Sequence, residues 1–219
     1  MRAIIFDLDG TLVDSAPGIH AAACQMLAAH GHKPIDLSTA RSFIGNGIGK
    51  FVERIMRQAN IGFSSTTHKQ LTTEFTRIYA GNPALHTTLY PGVRQALEQL
   101  KSAEFALGVC TNKIHAISVQ MLETLDISDF FSSVIGGDSL STNKPDPAML
   151  FASMEELGAS DAIFIGDSEV DAATAQAARV PFVLFTEGYL TAPQTGLTYA
   201  RSFGEFSELH NIIGTINPS

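Results

Sequence analysis

Only two cysteines, Cys24 and Cys110, occur among the 219 residues, and neither stands in a CxxC or CxxH arrangement. A disulfide framework is excluded, and both are expected to be buried thiols kept reduced. No uncharged apolar run approaches the roughly 20 residues of a membrane span. Acids at Asp7 and Asp9 also deny the N-terminus the apolar stretch of a signal peptide, which leaves a cytoplasmic location as the simplest expectation. Positive charge is scarce: 14 Lys and Arg face 22 Asp and Glu, for a formal net charge of −8. Such a field repels polyanions, arguing against a general nucleic-acid or anionic-membrane surface, although a local basic pocket could still take a small anion. Low-complexity tracts are lacking too. With 45% hydrophobic and 16% charged residues, the chain is long enough to bury a substantial core, either as one domain or as a core carrying a smaller insert.

Short apolar, β-branched runs recur at residues 3–8, 105–110, 133–135, 162–165 and 180–185. Helical periodicity fills residues 93–103, 114–125, 148–157 and 171–178 between them. Strands alternating with helices predict an α/β fold built on a doubly wound, Rossmann-like parallel sheet. Residues 16–85 break the alternation, with helices expected at 19–30, 47–60 and 67–80 and no convincing strand between them. We therefore expect a core of residues 1–15 and 86–219 with a helical insert at 16–85. Tyr90-Pro91-Gly92 marks the return to the core, with Pro91 placed to open the next helix.

In such sheets ligands bind beyond the carboxyl ends of the strands. Asp7 and Asp9, Thr111 and Asn112, and Gly166-Asp167-Ser168 each directly follow a predicted strand. Asp7 and Asp9 lie two apart, so both could face one side if extended geometry persists through the turn. One carboxylate can attack phosphorus to form an acyl phosphate, and the other can move protons to the leaving alcohol and from water. Gly10 suits close approach of backbone amides to phosphate, and the Thr11 hydroxyl adds a donor. Asp167, Ser168 and Asp171 bring more oxygen ligands of the kind Mg²⁺ prefers. Thr111 and Asn112 stand near a helix N-terminus, and Lys144 could lay an ammonium on phosphoryl oxygens. Seven scattered histidines form no metal-binding motif.

These four elements, Asp7-Leu8-Asp9-Gly10-Thr11, Thr111-Asn112, Lys144-Pro145 and Gly166-Asp167-Ser168-Glu169-Val170-Asp171, resemble in order the four motifs of the haloacid dehalogenase superfamily of phosphohydrolases. The resemblance spans essentially the whole chain. It implies Asp7 as nucleophile and Asp9 as general acid/base. It further implies that Asp7, Asp167 and the Asp9 backbone carbonyl hold Mg²⁺, with Ser168 and Asp171 supporting the metal site or orienting Lys144. Thr11, Thr111, Asn112 and Lys144 would hold the phosphoryl group. The insert resembles the helical cap of the subgroup containing the phosphoglycolate phosphatases. Gly45, Asn46 and Gly47 are its candidate substrate loop, and Arg41 and Lys50 could attract a second anionic group.

The segments 136–140 and 181–189 add to the likeness to bacterial phosphoglycolate phosphatases, which implies a small phosphorylated substrate, 2-phosphoglycolate first. Alternatives are a phosphatase of another small ester, a β-phosphoglucomutase-like phosphotransferase, a phosphonatase using Lys33, Lys50 or Lys69, and a non-catalytic phospho-receiver or binding protein. Monomer and homodimer are both left open.

Overall fold

A computed structural model of the chain describes residues 2–190 and 196–217. Its centre is β1 (Arg2–Phe6), where Ala3, Ile4, Ile5 and Phe6 are all fully buried. A strand covered on both faces has no polar side to display, which is why its sequence reads as an unbroken apolar run. Alternate side chains still separate: Ile4 and Phe6 join one apolar cluster, Ala3 and Ile5 the other.

Five parallel strands complete the sheet with β1. They are β4 (Ala106–Cys110), β5 (Ser133–Ile135), β6 (Asp161–Gly166), β7 (Phe182–Phe185) and β8 (Arg201–Phe203). The spatial order is β5-β4-β1-β6-β7-β8. The chain therefore builds outward from β1 on one side and then crosses to build outward on the other. That reversal opens a crevice at the carboxyl ends of β1 and β6, where binding is expected in doubly wound sheets. The helices α5 (Val93–Ser102), α6 (His115–Thr124), α7 (Ala148–Glu156) and α8 (Glu169–Ala178) fall between the strands as periodicity predicts, and α9 (Leu209–Gly214) follows β8.

Four helices, α1 (Ala16–Ala29), α2 (Leu37–Ser42), α3 (Gly47–Gln58) and α4 (Ser65–Ala80), occupy the stretch without core strands. Where the chain leaves and rejoins the core, β2 (Val13–Asp14) pairs antiparallel with β3 (Thr88–Leu89). No described helix is long and apolar enough to cross a membrane.

Three details depart from the sequence reading. The helix α2 was missed because its six residues carry too little periodicity; it is set by Asp36, whose side chain accepts from Thr39 N at 2.7 Å. The three-residue edge strand β8, with two exposed positions, was missed for the same reason. Cys110 is buried, and burial pushes its thiol up to about 12. Cys24 is only half-buried, because the outer face of α1 lies near Ile35 rather than inside the core.

Candidate active site

The strand β1 stops at Phe6, and the chain then coils: Thr11, Leu12 and Val13 all direct their N–H groups at Leu8 O. Extended geometry does not persist through Asp9. Asp7 and Asp9 nevertheless line the same cavities, because the coil returns Asp9 to the strand end. Gly10 takes φ +89°, and a Cβ there would collide with Asp167 Oδ2. The glycine thus admits Asp167, a different demand from the phosphate contact read from sequence.

Asp7, Asp167 and Asp171 present carboxylate oxygens within 4.8 Å of one another, all buried. Lys144 Nζ lies 2.9 Å from Asp7 Oδ1 and 2.6 Å from Asp171 Oδ1. The other oxygen of Asp171 accepts from Ser168 Oγ at 2.6 Å and Ser168 N at 3.1 Å, closing a capping box at the start of α8. Asp171, itself held by Ser168, therefore fixes the position of Lys144 Nζ. Asp167 accepts from Thr11 Oγ1 at 2.8 Å and from Tyr189 N at 2.6 Å. Here the phosphate-binding expectation for Thr11 is corrected: its hydroxyl is donated to Asp167, since Gly10 lets the two segments approach closely. Thr111 Oγ1 accepts from Lys113 N at 3.3 Å, so its proton can be donated into the cavity it lines.

Asn112 also departs from expectation. Its amide pairs with both sides of the Lys144 backbone, at 3.0 and 3.1 Å, and donates to Gly45 O at 3.0 Å. The side chain positions Lys144 and ties the insert to the core, leaving no amide hydrogen for phosphate beyond these contacts.

Three carboxylates around one ammonium leave a formal charge of −2 in a buried site. Burial raises Asp7 to about 6, against the opposing pull of Lys144, with Asp171 adding to the rise. Burial likewise raises Asp167 well above its usual range, helped by Asp171 and Asp7. Burial alone would depress Lys144, but Asp171 and Asp7 outweigh it and the net direction is upward. Asp7 Oδ1 is sealed from solvent without a well-aligned hydrogen bond. A divalent cation with oxygen preference fits this donor set in both charge and ligand type.

An acid raised in the folded state holds more protons there than in the unfolded chain between about pH 4 and 6. Metal-free stability from this group therefore falls as pH rises through that window, and a cation that replaces those protons helps most above it. The Mg²⁺-induced rise in Tm is expected to be several degrees larger at pH 7.5 than at pH 4.5. A pH-independent rise in scanning calorimetry would contradict the assignment.

Asp9 belongs to a separate pair that sequence reasoning missed. Lys113 Nζ donates to both Asp9 oxygens at 2.8 Å and to Tyr79 Oη on α4 at 2.8 Å, while Ser15 Oγ donates to Asp9 Oδ1. Burial would depress Lys113, but Asp9 and Tyr79 overcome it and the net direction is upward. Gly137 N donates to Lys113 O at 2.7 Å, giving the glycines after β5 a local role. The available signal was position: Lys113 continues Thr111-Asn112 at the same sheet edge. Tyr189 was also unassigned. Its hydroxyl accepts from Ser15 N and Ala16 N and donates to Asp14 Oδ1 at 2.8 Å, so it joins the Asp167 loop to the first crossing into the insert.

Within the insert, Gly45 and Gly47 take φ +113° and +79° and face the cavity beside Asp9. Asn46 stands at the N-cap of α3 but its side chain makes no capping hydrogen bond; its Oδ1 accepts from Arg54 Nη2 at 2.7 Å, and Arg54 Nη1 donates to Phe43 O. Arg41 and Lys50 do not stand ready for an anion. Arg41 pairs with Asp14 at 3.1 Å and lies over the Tyr189 ring, while exposed Lys50 pairs with Glu53 at 2.8 Å. Two cavities flank the Asp7–Asp9 pair. One, about 50 Å³, is walled by Ile19, Ile44, Phe51 and Phe75 and reaches Lys113 and Tyr79. The other, about 260 Å³, is of mixed polarity and bounded by Asp167, Asn46, Arg54 and Tyr189 with Ile44 and Val170.

Comparison with known proteins matches residues 4–185 to the haloacid dehalogenase-like hydrolase family. Proteins named phosphoglycolate phosphatase in Cereibacter sphaeroides and Rhodobacter capsulatus are similar at 41% and 39% identity. The alignments cover 97% and 96% of this chain and 98% and 96% of theirs. A crystal structure described as a predicted phosphoglycolate phosphatase from Haemophilus somnus superposes with a TM-score of 0.90 at 29% identity, covering 96% of this chain and 97% of that one. The order of the sheet, the acids at its switch point and a family match over most of the sequence agree, and the chain belongs to the haloacid dehalogenase-like hydrolases.

Proposed function

We propose that this hydrolase is a Mg²⁺-dependent phosphatase that cleaves 2-phosphoglycolate to glycolate and phosphate through a phosphorylated Asp7. The observation carrying this reading is the charge imbalance at the switch point, three buried carboxylates against Lys144, together with the separately held Asp9. Asp7, Asp167 and the Asp9 main-chain carbonyl would hold Mg²⁺, which when bound offsets repulsion between a carboxylate nucleophile and a phosphate dianion.

The protein groups divide the remaining work. Asp7 attacks phosphorus, expelling the ester oxygen, and its acyl phosphate is then hydrolysed by water. Asp9 delivers a proton to the leaving oxygen and later accepts one from that water. Lys144 and the Thr111 hydroxyl stabilise charge on the transferring group. The helices of residues 16–85 act as a cap that limits water and shapes the leaving-group chamber. The similarity to proteins named phosphoglycolate phosphatase supports 2-phosphoglycolate as substrate.

Comparison of kcat/KM across 2-phosphoglycolate, β-glucose 1-phosphate, phosphonoacetaldehyde, pyridoxal phosphate and nucleoside monophosphates tests the substrate. We expect 2-phosphoglycolate to lead by at least about tenfold, with EDTA abolishing turnover and Mg²⁺ restoring it. A tenfold preference for another compound would reject the substrate but leave the reaction class.

A further inference from the structure

We propose that Lys113, braced by Tyr79, is the specificity-determining cation of this site, binding a carboxylate carried by the leaving group of a short phosphorylated hydroxy acid. The proposal rests on the phosphatase reading and adds to it a receptor for the part of the substrate that is not phosphate.

Asp9 must reach the leaving oxygen, so the leaving group lies in a chamber bordered by Asp9. Both cavities border Asp9, and the smaller one adds Lys113; beyond Asp7, Thr111 and Asn112 at the strand ends and the Lys113–Tyr79 pair, its side-chain walls are the apolar Ile19, Ile44, Ile48, Phe51 and Phe75. Its volume of about 50 Å³ holds roughly three to five waters, at about 10–15 Å³ each in this measure. A two-carbon acid has a comparable number of heavy atoms; a hexose has more than twice as many.

Lys113 is the cation of this chamber. Its side chain is 3% exposed, and its ammonium touches both Asp9 oxygens and the Tyr79 hydroxyl at 2.8 Å. The Tyr79 ring also lies beneath it, 4.7 Å from centroid to Nζ. A buried ammonium needs a counter-ion, and within its immediate contacts Asp9 is the anion that provides one. If Asp9 turns toward a scissile oxygen, Lys113 requires a replacement. A carboxylate close to that oxygen supplies it, and a neutral alcohol does not. The three N–H donors of an ammonium can pass from Asp9 to such a carboxylate without moving the lysine stem. Tyr79 and the main-chain contact from Gly137 hold the ammonium and backbone during that exchange.

The test compares 2-phosphoglycolate with 2-hydroxyethyl phosphate, which replaces the carboxylate by a neutral CH₂OH of similar size. With the full-length protein and Mg²⁺, the parent is expected to favour 2-phosphoglycolate by about 100-fold or more in kcat/KM, the scale of a desolvated charge pair. Lys113→Met should lower that ratio at least 30-fold, while Lys113→Arg should keep it within about tenfold of the parent. Tyr79→Phe should lower it severalfold and carries the test if Lys113→Met does not fold; an unchanged ratio in Tyr79→Phe would then overturn the proposal. Equal losses on both esters in Lys113→Met would show that Lys113 only positions Asp9, overturning the proposal while the phosphatase reading stands. A parent without preference between the esters would reject the carboxylate substrate itself.

Discussion

Asp7→Asn is expected to lower kcat/KM by at least about 10⁴-fold, the scale seen when a nucleophile is removed. The amide is nearly isosteric and sits where β1 ends, so the strand pairing of residues 2–6 with β4 and β6 remains available. The stability effect has the opposite sign from the usual loss of a buried polar group. In metal-free protein at pH 7, ionising a carboxyl raised to about 6 costs on the order of 1–3 kcal/mol relative to the unfolded chain. The variant avoids that cost but weakens the ion pair to Lys144. Its metal-free Tm should equal or exceed the parent's, and most of the Mg²⁺-dependent rise should vanish. Steady-state kinetics with calorimetry at pH 7, with and without Mg²⁺, check both halves. A folded variant with parent-like turnover would remove Asp7 from the chemistry.

Lys144→Met should instead cost both activity and stability. The change leaves Asp7, Asp167 and Asp171 without the ammonium that touches two of them. Removing one partner from a buried ion pair costs about 3–5 kcal/mol, which corresponds to a Tm lower by roughly 6–20 °C for a chain of this size. Turnover should fall by about 10³-fold, since charge on the transferring phosphoryl group loses a donor. The double variant Lys144→Met/Asp171→Asn, which removes one of the stranded charges, should recover part of the lost Tm without recovering turnover. A Lys144→Met protein as stable as the parent in EDTA would show that the imbalance is smaller than the geometry indicates.

The architecture was legible because its signals were strong and local. Doubly covered strands must be apolar throughout, so β1 and β6 were visible in residues 3–8 and 162–165, and the polar residues after them marked the switch point. Positions at the site could be found in this way, but not what each side chain touches. Thr11 and Asn112 carry the groups expected of phosphate donors. The close approach allowed by Gly10 commits the first to Asp167, and the backbone of Lys144 takes up the second. Pairings across long separations, such as Lys113 with Asp9 and Tyr79, have no sequence period. A lysine one residue past a recognised motif looks like any solvated charge until the insert closes over it. Arg41 and Lys50 illustrate the reverse: cations in a substrate-facing segment that are spent on Asp14 and Glu53.

Covalent phosphorylation of Asp7 is the central step of the proposed reaction. The most direct measurement is rapid acid quench of the parent enzyme with Mg²⁺ and 2-phosphoglycolate, borohydride reduction of the trapped acyl phosphate, and mass spectrometry of the N-terminal peptide. Reduction should convert Asp7, and no other acid, to homoserine in a substrate-dependent manner, with no conversion in Asp7→Asn. Homoserine at Asp9 or Asp167, or a burst of phosphate with no modified peptide, would contradict it.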